Sequence, residues 1–309
     1  MSLAGRIYDN PRLLLKGMRD PKLTSVALNK TFHQYRRGKR YNRNGVDIFE
    51  DEDWDNLIIL DACRYDEFVS LTPFDGEVQE KESKGASSDQ WMYGNFHGKT
   101  CHDVVYVSGN QWYLALEETT SFENELHYYH DVERDVFHGY VPGPETTTKA
   151  ALEFAEQFPK KRLIVHYMQP HKPYLGENRE EFEFPEDEDL GLRDVMRKYS
   201  IDRETLVPAY RDNLRIVLDS VRDLVDGLDG KTVISSDHGE LLGERLWPIP
   251  IRWYGHPSRI YVDKLLSVPW QVVSDGPRKP IEPEPPVGTV DANHDRVREN
   301  LQHLGYVTA

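Results

Sequence analysis

Short apolar runs recur along this chain, and helical patterns separate them. The runs that indicate strands lie at residues 56–61, 103–108, 162–167, 231–236 and 267–273. The clearest helical patterns, at 146–157 and 207–228, lie between them and carry apolar residues along one face. Runs of this length that are largely apolar are typical of parallel strands buried on both faces. Strands that alternate with helices therefore predict an α/β fold, with a doubly wound, mostly parallel sheet flanked by helices.

The length of 309 residues fits a single main domain with additions at its ends. We expect the core at residues 51–275, with a very acidic insertion at 176–206 that interrupts the alternation. The insertion is equally consistent with an excursion over the site and with a neutral solvated loop. Residues 1–50 are polar and basic and predict a helical arm against the core, with one short helix after Pro11; the alternative is a contact with a membrane or a polyanion. Residues 276–309 predict a Pro-rich linker and then a short helix.

The charge balance, and the lack of an apolar leader, a spanning segment and a set of cysteines, limit which partners and which cellular location we expect. There are 53 acidic and 38 basic residues, a formal net charge of −15. Such a surface repels phosphate backbones, so we expect no nucleic-acid partner. The first residues lack an apolar leader, and no window approaches the ~18 apolar residues of a membrane span. Two cysteines are too few for a disulfide framework. We therefore expect no transmembrane segment and a cytoplasmic location.

Chemically active side chains follow several of the strand-like runs. They are Asp61, His166, His171, Asp237, His238 and, a little further on, His256. The carboxyl ends of parallel strands meet at one edge of the sheet, where ligands bind, so we expect these side chains to converge. Two carboxylates and an imidazole can hold a divalent cation through oxygen and nitrogen ligands. Such an ion can lower the pKa of a serine hydroxyl and polarise a phosphoryl or sulfuryl oxygen.

Each of these features also has a purely structural explanation. An aspartate at a strand end is commonly a cap, and two serines in a loop, as at 87–88, are commonly loop residues. The segment 171–174 (HKPY) is equally consistent with a structural turn. The segment 237–240 (DHGE) follows an apolar run directly and is more specific, because folding rarely needs adjacent ligands of different hardness. Together and in this order, the features favour a catalytic site.

Several segments resemble motifs of sulfatase-like proteins in the alkaline phosphatase superfamily. Residues 57–66 (LIILDACRYD) resemble the first metal-binding strand of that group, and 235–244 (SSDHGELLGE) resemble its second metal motif. Residues 167–174 (YMQPHKPY) resemble the substrate-binding histidine loop, and 255–270 resemble the segment that closes the site. The similarity covers roughly residues 54–273 and follows the order of the family. It implies an alkaline phosphatase-like core.

The resemblance also implies a metal site. Carried over by position, Asp61, Asp237 and His238 would hold one divalent ion: manganese, zinc, calcium or magnesium. The paired aspartate of calcium-binding sulfatases is absent here, where Ala62 takes the second place. Two-zinc phosphodiesterases carry an aspartate four positions before the loop histidine, where this chain has Tyr167. One metal ion is therefore expected in place of two.

For catalysis, the resemblance implies a nucleophile at Ser88 or Ser87, at the start of a helix where lipoteichoic acid synthases carry threonine. We favour Ser88. His171 and His256 would bind the transferred group or its leaving oxygen. The Cys-x-Pro-Ser-Arg motif that sulfatases convert to an aldehyde has no counterpart in the sequence, and Cys63 is better explained as a small buried residue.

These observations predict a metal-dependent hydrolase or transferase of phosphate or phosphonate esters that uses a serine nucleophile. The expected substrate is a small-molecule ester or an ester linked to a glycan or lipid. Two alternatives remain: a sulfatase that uses an unmodified serine, and a catalytically silent sulfatase-like protein that binds a glycan or a partner in the same cleft.

Overall fold

The computed structural model describes residues 21–119, 121–134, 141–182, 190–287 and 297. The helix predicted after Pro11 and the short helix predicted at the C-terminal end lie outside the described residues. So does part of the acidic insertion, at 183–189.

The strands and helices within this part of the chain alternate much as the sequence predicts. The strands are β1 (Asn56–Asp61), β2 (Val78–Glu82), β3 (Lys99–Ser108), β4 (Asn124–Asp131), β5 (Arg162–Pro170), β6 (Lys231–Ser236), β7 (Leu241–Arg245), β8 (Arg252–Gly255) and β9 (Ser267–Asp275). The helices are α1 (Pro21–Arg37), α2 (Tyr65–Leu71), α3 (Ser88–Phe96), α4 (Trp112–Thr119), α5 (Pro144–Gln157), α6 (Leu192–Lys198), α7 (Arg203–Asp226) and α8 (Asp263–Leu266). A short 3-10 helix lies at Arg179–Phe182.

Seven of the strands form one sheet, in the order β2-β9-β6-β1-β5-β3-β4. The five strands from β6 to β4 in this order run parallel to one another. β9 runs antiparallel to both β6 and β2. β7 and β8 pair in a separate antiparallel ribbon. The prediction of an α/β fold with a doubly wound, mostly parallel sheet is confirmed.

The central strand β1 divides the core into two apolar layers. Leu57 and Ile59 point into a layer that α3 and α4 help to form, while Ile58 and Leu60 point into a layer shared with α5 and α7. All four side chains are fully buried, which explains why this strand is apolar almost without interruption. Each such side chain contributes roughly 1.5–3 kcal/mol when removed from water.

Helix α7 covers the second layer and begins earlier than the sequence predicts. Its buried residues follow the spacing of one helix face, among them Leu214, Val217, Leu218 and Val221. The Asp202 side chain accepts a hydrogen bond from the Thr205 amide and caps the helix, so the helix starts before its apolar face does.

The two flanking segments are bound to the core. In α1, Asn29 Nδ2 donates to the carbonyl oxygen of Ile249 over 2.9 Å. Beyond β9, the Arg278 guanidinium pairs with Asp53 and Asp55 at the amino end of β1. Within the described residues, no helix combines the length and apolar character needed to cross a bilayer.

Candidate active site

The strands β1, β5 and β6 bring polar side chains together near one edge of the sheet. Asp61 is the last residue of β1, His166 lies in β5, and Asp237 directly follows β6. After Asp61 the chain turns sharply, with Ala62 at a φ of 61°. The Ala62 amide donates to Asp237 Oδ1 over 3.1 Å, which links the end of β1 to the loop after β6. Three distant parts of the sequence are thereby assembled at one buried point.

His238 faces the two carboxylates. Its Nδ1 lies 2.9 Å from the carbonyl oxygen of Gly239, so Nδ1 carries the proton and donates it. Nε2 points to the carboxylates and lies 3.6 Å from Asp61 Oδ1 and 3.5 Å from Asp237 Oδ2. The three side chains are fully buried. The structure thus brings together the three residues that the resemblance implied as metal ligands.

His166 lies in the same group, although the sequence analysis gave it no role. Its Nε2 is 3.6 Å from Asp237 Oδ2, and its Nδ1 is 2.7 Å from the Tyr106 hydroxyl. Ligand atoms of Asp61, His166 and Asp237 all lie within 4.8 Å of one another. Its position near the end of a predicted strand placed it among the side chains expected to converge, but no motif pointed to a role. Only the pairing of β5 with β1 makes that position decisive.

This group of side chains is rich in hydrogen-bond acceptors. Asp61 Oδ1, Asp237 Oδ2 and His166 Nε2 are buried and have no hydrogen-bond partner in the described part of the chain. Buried carboxylate oxygens without donors are costly, and they repel one another unless a proton or cation lies between them. Carboxylate oxygens combined with imidazole nitrogens form a ligand set for a divalent cation. The residues present therefore fit a metal ion.

The two carboxyl groups form an electrostatically coupled pair. Burial raises the pKa of Asp61, and the charge of Asp237 raises it further. Burial acts in the same direction on Asp237, but His238 and His166 outweigh it and lower the pKa of Asp237. Without a cation, the pair therefore favours one negative charge over two. A divalent cation would keep both carboxylates ionised.

Ser88 brings a hydroxyl group to this cluster. It is the first residue of α3 and is fully buried, and its Oγ lies 3.3 Å from His238 Nε2. Ser87 occupies the N-cap position in an extended conformation, and its Oγ donates to Asp89 Oδ1 over 2.5 Å. Of the two candidate nucleophiles, the structure therefore brings the Ser88 hydroxyl beside the carboxylates and directs the Ser87 hydroxyl to a different partner.

Asn110 links the serine to the carboxylate, and the sequence analysis missed it. Its Nδ2 donates to Asp61 Oδ2 over 2.7 Å and to Ser88 Oγ over 3.0 Å. Asn110 is itself held in place. Its side-chain Oδ1 accepts a hydrogen bond from the backbone amide of Trp112, and its backbone amide donates one to Ser108 Oγ. Asn110 lies two residues beyond the end of β3, so a search that extended slightly past each strand end could have selected it as well.

His171 and His256, the predicted substrate-binding residues, lie together beside the cluster. Their ring centroids are 5.1 Å apart, and His256 lies 4.5 Å from the ring of His238. Glu240 Oε1 is 3.1 Å from His256 Nδ1. The pKa of His256 is raised, because the interaction with Glu240 outweighs the lowering effect of burial. The pKa of His171 is lowered by burial and by the neighbouring His256. Glu240 belongs to the DHGE segment, but no role was assigned to it.

A cavity of about 210 Å³ opens next to these histidines. Besides His171, His256 and Glu240, the lining includes Leu192 of α6 and Trp253 of β8. The α6 residues belong to the acidic insertion expected at 176–206, so part of that insertion forms a wall of the cavity.

Cys63 takes no part in this group of reactive atoms. It is fully buried, and burial raises the pKa of its thiol well above the usual range. A thiol that stays protonated is a poor nucleophile. The residue is the small buried side chain that the sequence favoured.

No protein-family model and no curated protein matches the chain. Solved structures with a similar fold include the C-terminal periplasmic domain of phosphoethanolamine transferase EptC from Campylobacter jejuni. It has a TM-score of 0.45 and 15% identity, over 70% of this chain and 76% of that one. The soluble domain of lipooligosaccharide phosphoethanolamine transferase A from Neisseria meningitidis has a TM-score of 0.45 and 15% identity, over 70% and 74%. A proposed sulfatase from Bacteroides thetaiotaomicron has a TM-score of 0.36 and 12% identity, over 82% and 71%.

These similar structures are of phosphoethanolamine transferases and of proposed sulfatases, and the likeness to them is one of fold. At TM-scores below 0.5 the likenesses carry no argument about activity.

The expectation of a cytoplasmic location is wrong. The neighbours include periplasmic domains and an integral membrane protein, and they point away from the cytoplasm. The expectation rested on a missing apolar leader and a missing spanning segment. Absences of this kind do not determine the compartment in which a chain works.

Proposed function

We propose that this chain is a metal-dependent phosphoryl-transfer enzyme, a hydrolase or transferase of phosphate or phosphonate esters with Ser88 as its nucleophile. One observation carries the proposal. A fully buried serine at a helix start lies 3.3 Å from His238 Nε2, beside unpartnered acceptor atoms of Asp61 and Asp237. A fold needs no such group for stability, since burying it is costly.

The residues that would hold the metal ion are Asp61, Asp237 and His238, with His166 as a further candidate ligand. The mixture of carboxylate and imidazole ligands favours zinc or manganese over calcium and magnesium, which prefer oxygen. When bound, such an ion supplies a positive charge that lowers the pKa of a nearby hydroxyl and polarises a phosphoryl oxygen.

The residues around Ser88 prepare the hydroxyl for attack on phosphorus. Asn110 Nδ2 donates to Ser88 Oγ and fixes its position. Asn110 Nδ2 also donates to Asp61 Oδ2, so it holds the hydroxyl beside that carboxylate, and Asp61 and Asp237 would be the acceptors for its proton. The start of α3 adds amide groups and a partial positive charge, which favour an anionic phosphoryl group.

His171 and His256 would act on the other side of the phosphoryl group. Glu240 raises the pKa of His256 and so favours the protonated imidazole, which would donate to the leaving oxygen. Both rings adjoin the cavity of about 210 Å³, which would receive the alcohol portion of the ester next to phosphorus. A small alcohol, or the end of a glycan- or lipid-linked alcohol, fits a cavity of this size.

The test is the turnover of matched aryl esters by protein loaded with zinc or manganese. We expect kcat/KM for a phosphate or phosphonate ester to exceed that for the sulfate ester at least ~10-fold, a difference of about 1.4 kcal/mol in barrier. An unmodified serine would leave a sulfate ester that water attacks slowly. Equal or faster sulfate turnover would support the sulfatase alternative. No turnover of any ester with the metal bound would support the silent binding protein.

A further inference from the structure

One flank of α1 carries large apolar side chains that the core does not cover. Leu28, Phe32 and Tyr35 are spaced four and three residues apart and share this flank. Tyr35 is 87% exposed and Leu28 is 43% exposed. Trp247, 53% exposed, packs edge-to-face on Phe32 with centroids 5.0 Å apart. In the described part of the chain, six large apolar side chains are exposed, and three of them, Leu28, Tyr35 and Trp247, lie here. We call the surface formed by Leu28, Phe32, Tyr35 and Trp247 the aromatic flank.

The aromatic flank is held in a fixed position. On the neighbouring face of α1, Asn29 is buried and donates to the carbonyl oxygen of Ile249. His33 Nε2 lies 2.6 Å from the carbonyl oxygen of Trp247, and His33 is also buried. The helix is therefore attached to the loop that carries the tryptophan, so the apolar side chains of both elements are presented together.

The charge around the aromatic flank is opposite to that of the whole molecule. Residues 21–46 contain seven lysines and arginines and no acidic residue, although the chain has a net charge of −15. Arg36, Lys39 and Arg40 are exposed. The Arg36 guanidinium lies 5.6 Å from the ring centroid of Phe32, so positive charge directly adjoins the apolar surface. A basic segment next to exposed aromatic rings is the combination that binds the interface of an anionic bilayer.

A cavity of about 190 Å³ lies at the edge of the aromatic flank. Phe32 and Trp247 contribute aromatic walls, and Arg36 and Arg37 contribute guanidinium groups. Asp263 also lines the cavity, and Arg37 is engaged by Glu82, so Arg36 is its main cationic group. A phosphate headgroup could enter such a space with its acyl chains directed toward the exposed rings.

We propose that the aromatic flank and its basic surroundings dock the protein on the surface of an anionic phospholipid bilayer. Leu28, Tyr35 and Trp247 enter the interfacial layer, where amphipathic rings are favoured. The exposed arginines and lysine contact lipid phosphates. A nucleic acid offers phosphates but no apolar layer, and the remaining acidic surface repels it. The proposal is independent of the proposed phosphoryl-transfer activity.

The experiment is co-sedimentation of the full chain with vesicles of phosphatidylglycerol and phosphatidylcholine, compared with phosphatidylcholine alone. We expect the partition coefficient to be at least ~10-fold higher on the anionic vesicles and to fall as salt is added. Tyr35→Ser combined with Trp247→Ser should lower it at least ~10-fold, since both lose apolar area that enters the interface. Arg36→Gln combined with Lys39→Gln should lower it roughly fivefold per charge.

The control variant combines Val69→Ser and Arg222→Gln, which remove an exposed apolar side chain and an exposed charge elsewhere. It should bind vesicles like the wild-type chain, and circular dichroism should be the same for all variants. Equal binding to both vesicle types, or equal losses in the control, would overturn the proposal. So would preferential binding of a DNA duplex, or self-association that the Tyr35 and Trp247 substitutions abolish.

Discussion

The strongest test of the site geometry is the substitution Asn110→Ala. Asn110 Nδ2 is 2.7 Å from Asp61 Oδ2 and 3.0 Å from Ser88 Oγ, so the substitution removes one donor from two reactive groups. A hydrogen bond to a charged group contributes about 1.5–3 kcal/mol. Removing one donor from a site that stabilises charge costs about 10²–10³ in rate. We therefore expect kcat/KM to fall about 100-fold for a phosphate ester.

The matched control is Asn178→Ala, because Asn178 Nδ2 also donates to a carboxylate, Asp212 Oδ2, over 2.6 Å but lies away from the cluster. It should leave kcat/KM within about twofold of wild type. A second variant, Asn110→Asp, keeps an acceptor for the Trp112 amide but brings a further carboxyl group beside Asp61. It should lose as much activity as the alanine variant. A folded Asn110→Ala protein that retains more than a third of the activity would refute the assigned role.

Three further predictions concern the metal, the core and a buried amine. Asp237→Asn should weaken zinc binding, measured by calorimetry, by more than the roughly 10–100-fold loss that is typical when an outer-shell partner is removed. The control Asp212→Asn should not weaken it. Equal zinc affinities of the two variants would exclude Asp237 as a ligand. Leu214→Ala should lower the free energy of unfolding in urea by about 2–5 kcal/mol, because Leu214 is fully buried. Val69→Ala should change it by less than about 0.5 kcal/mol, because Val69 is exposed. Similar changes in the two variants would contradict the described core. Burial lowers the pKa of Lys279 to about 8. Between that pH and the usual lysine pKa, the unfolded chain therefore binds more protons than the folded chain, and the free energy of unfolding should rise with pH. The rise should be smaller in Lys279→Met. An identical pH dependence in that variant would show that Lys279 titrates normally.

The central elements of the fold were predictable from sequence because their burial fixes their composition. β1 and β6 coincide with the predicted runs, and α5 and α7 follow from their apolar faces. β2 was missed because it lies at the sheet edge, where its polar residues remain largely exposed and leave no apolar pattern. The antiparallel direction of β9 was missed for another reason. Strand direction depends on how the preceding loop and α8 return the chain, and residue composition does not record it.

The candidate site was predictable where a contiguous motif carries it. Asp61 and the DHGE segment could be selected because each follows an apolar run, and their convergence is what a parallel sheet imposes. Asn110 and His166 lie outside any motif, and their importance comes from contacts across β1, β3 and β5.

The measurement that tests the central claim most directly is peptide mapping of the metal-loaded protein, quenched during a single turnover of an aryl phosphate. In the proposed reaction, a bond forms between Ser88 Oγ and phosphorus while the ester oxygen leaves. Mass spectrometry should therefore find one phosphoryl group on Ser88 and none on Ser87. It should find none in Ser88→Ala, which should also be inactive. A phosphoryl group on a different residue, or a fully active Ser88→Ala protein without any adduct, would contradict the account.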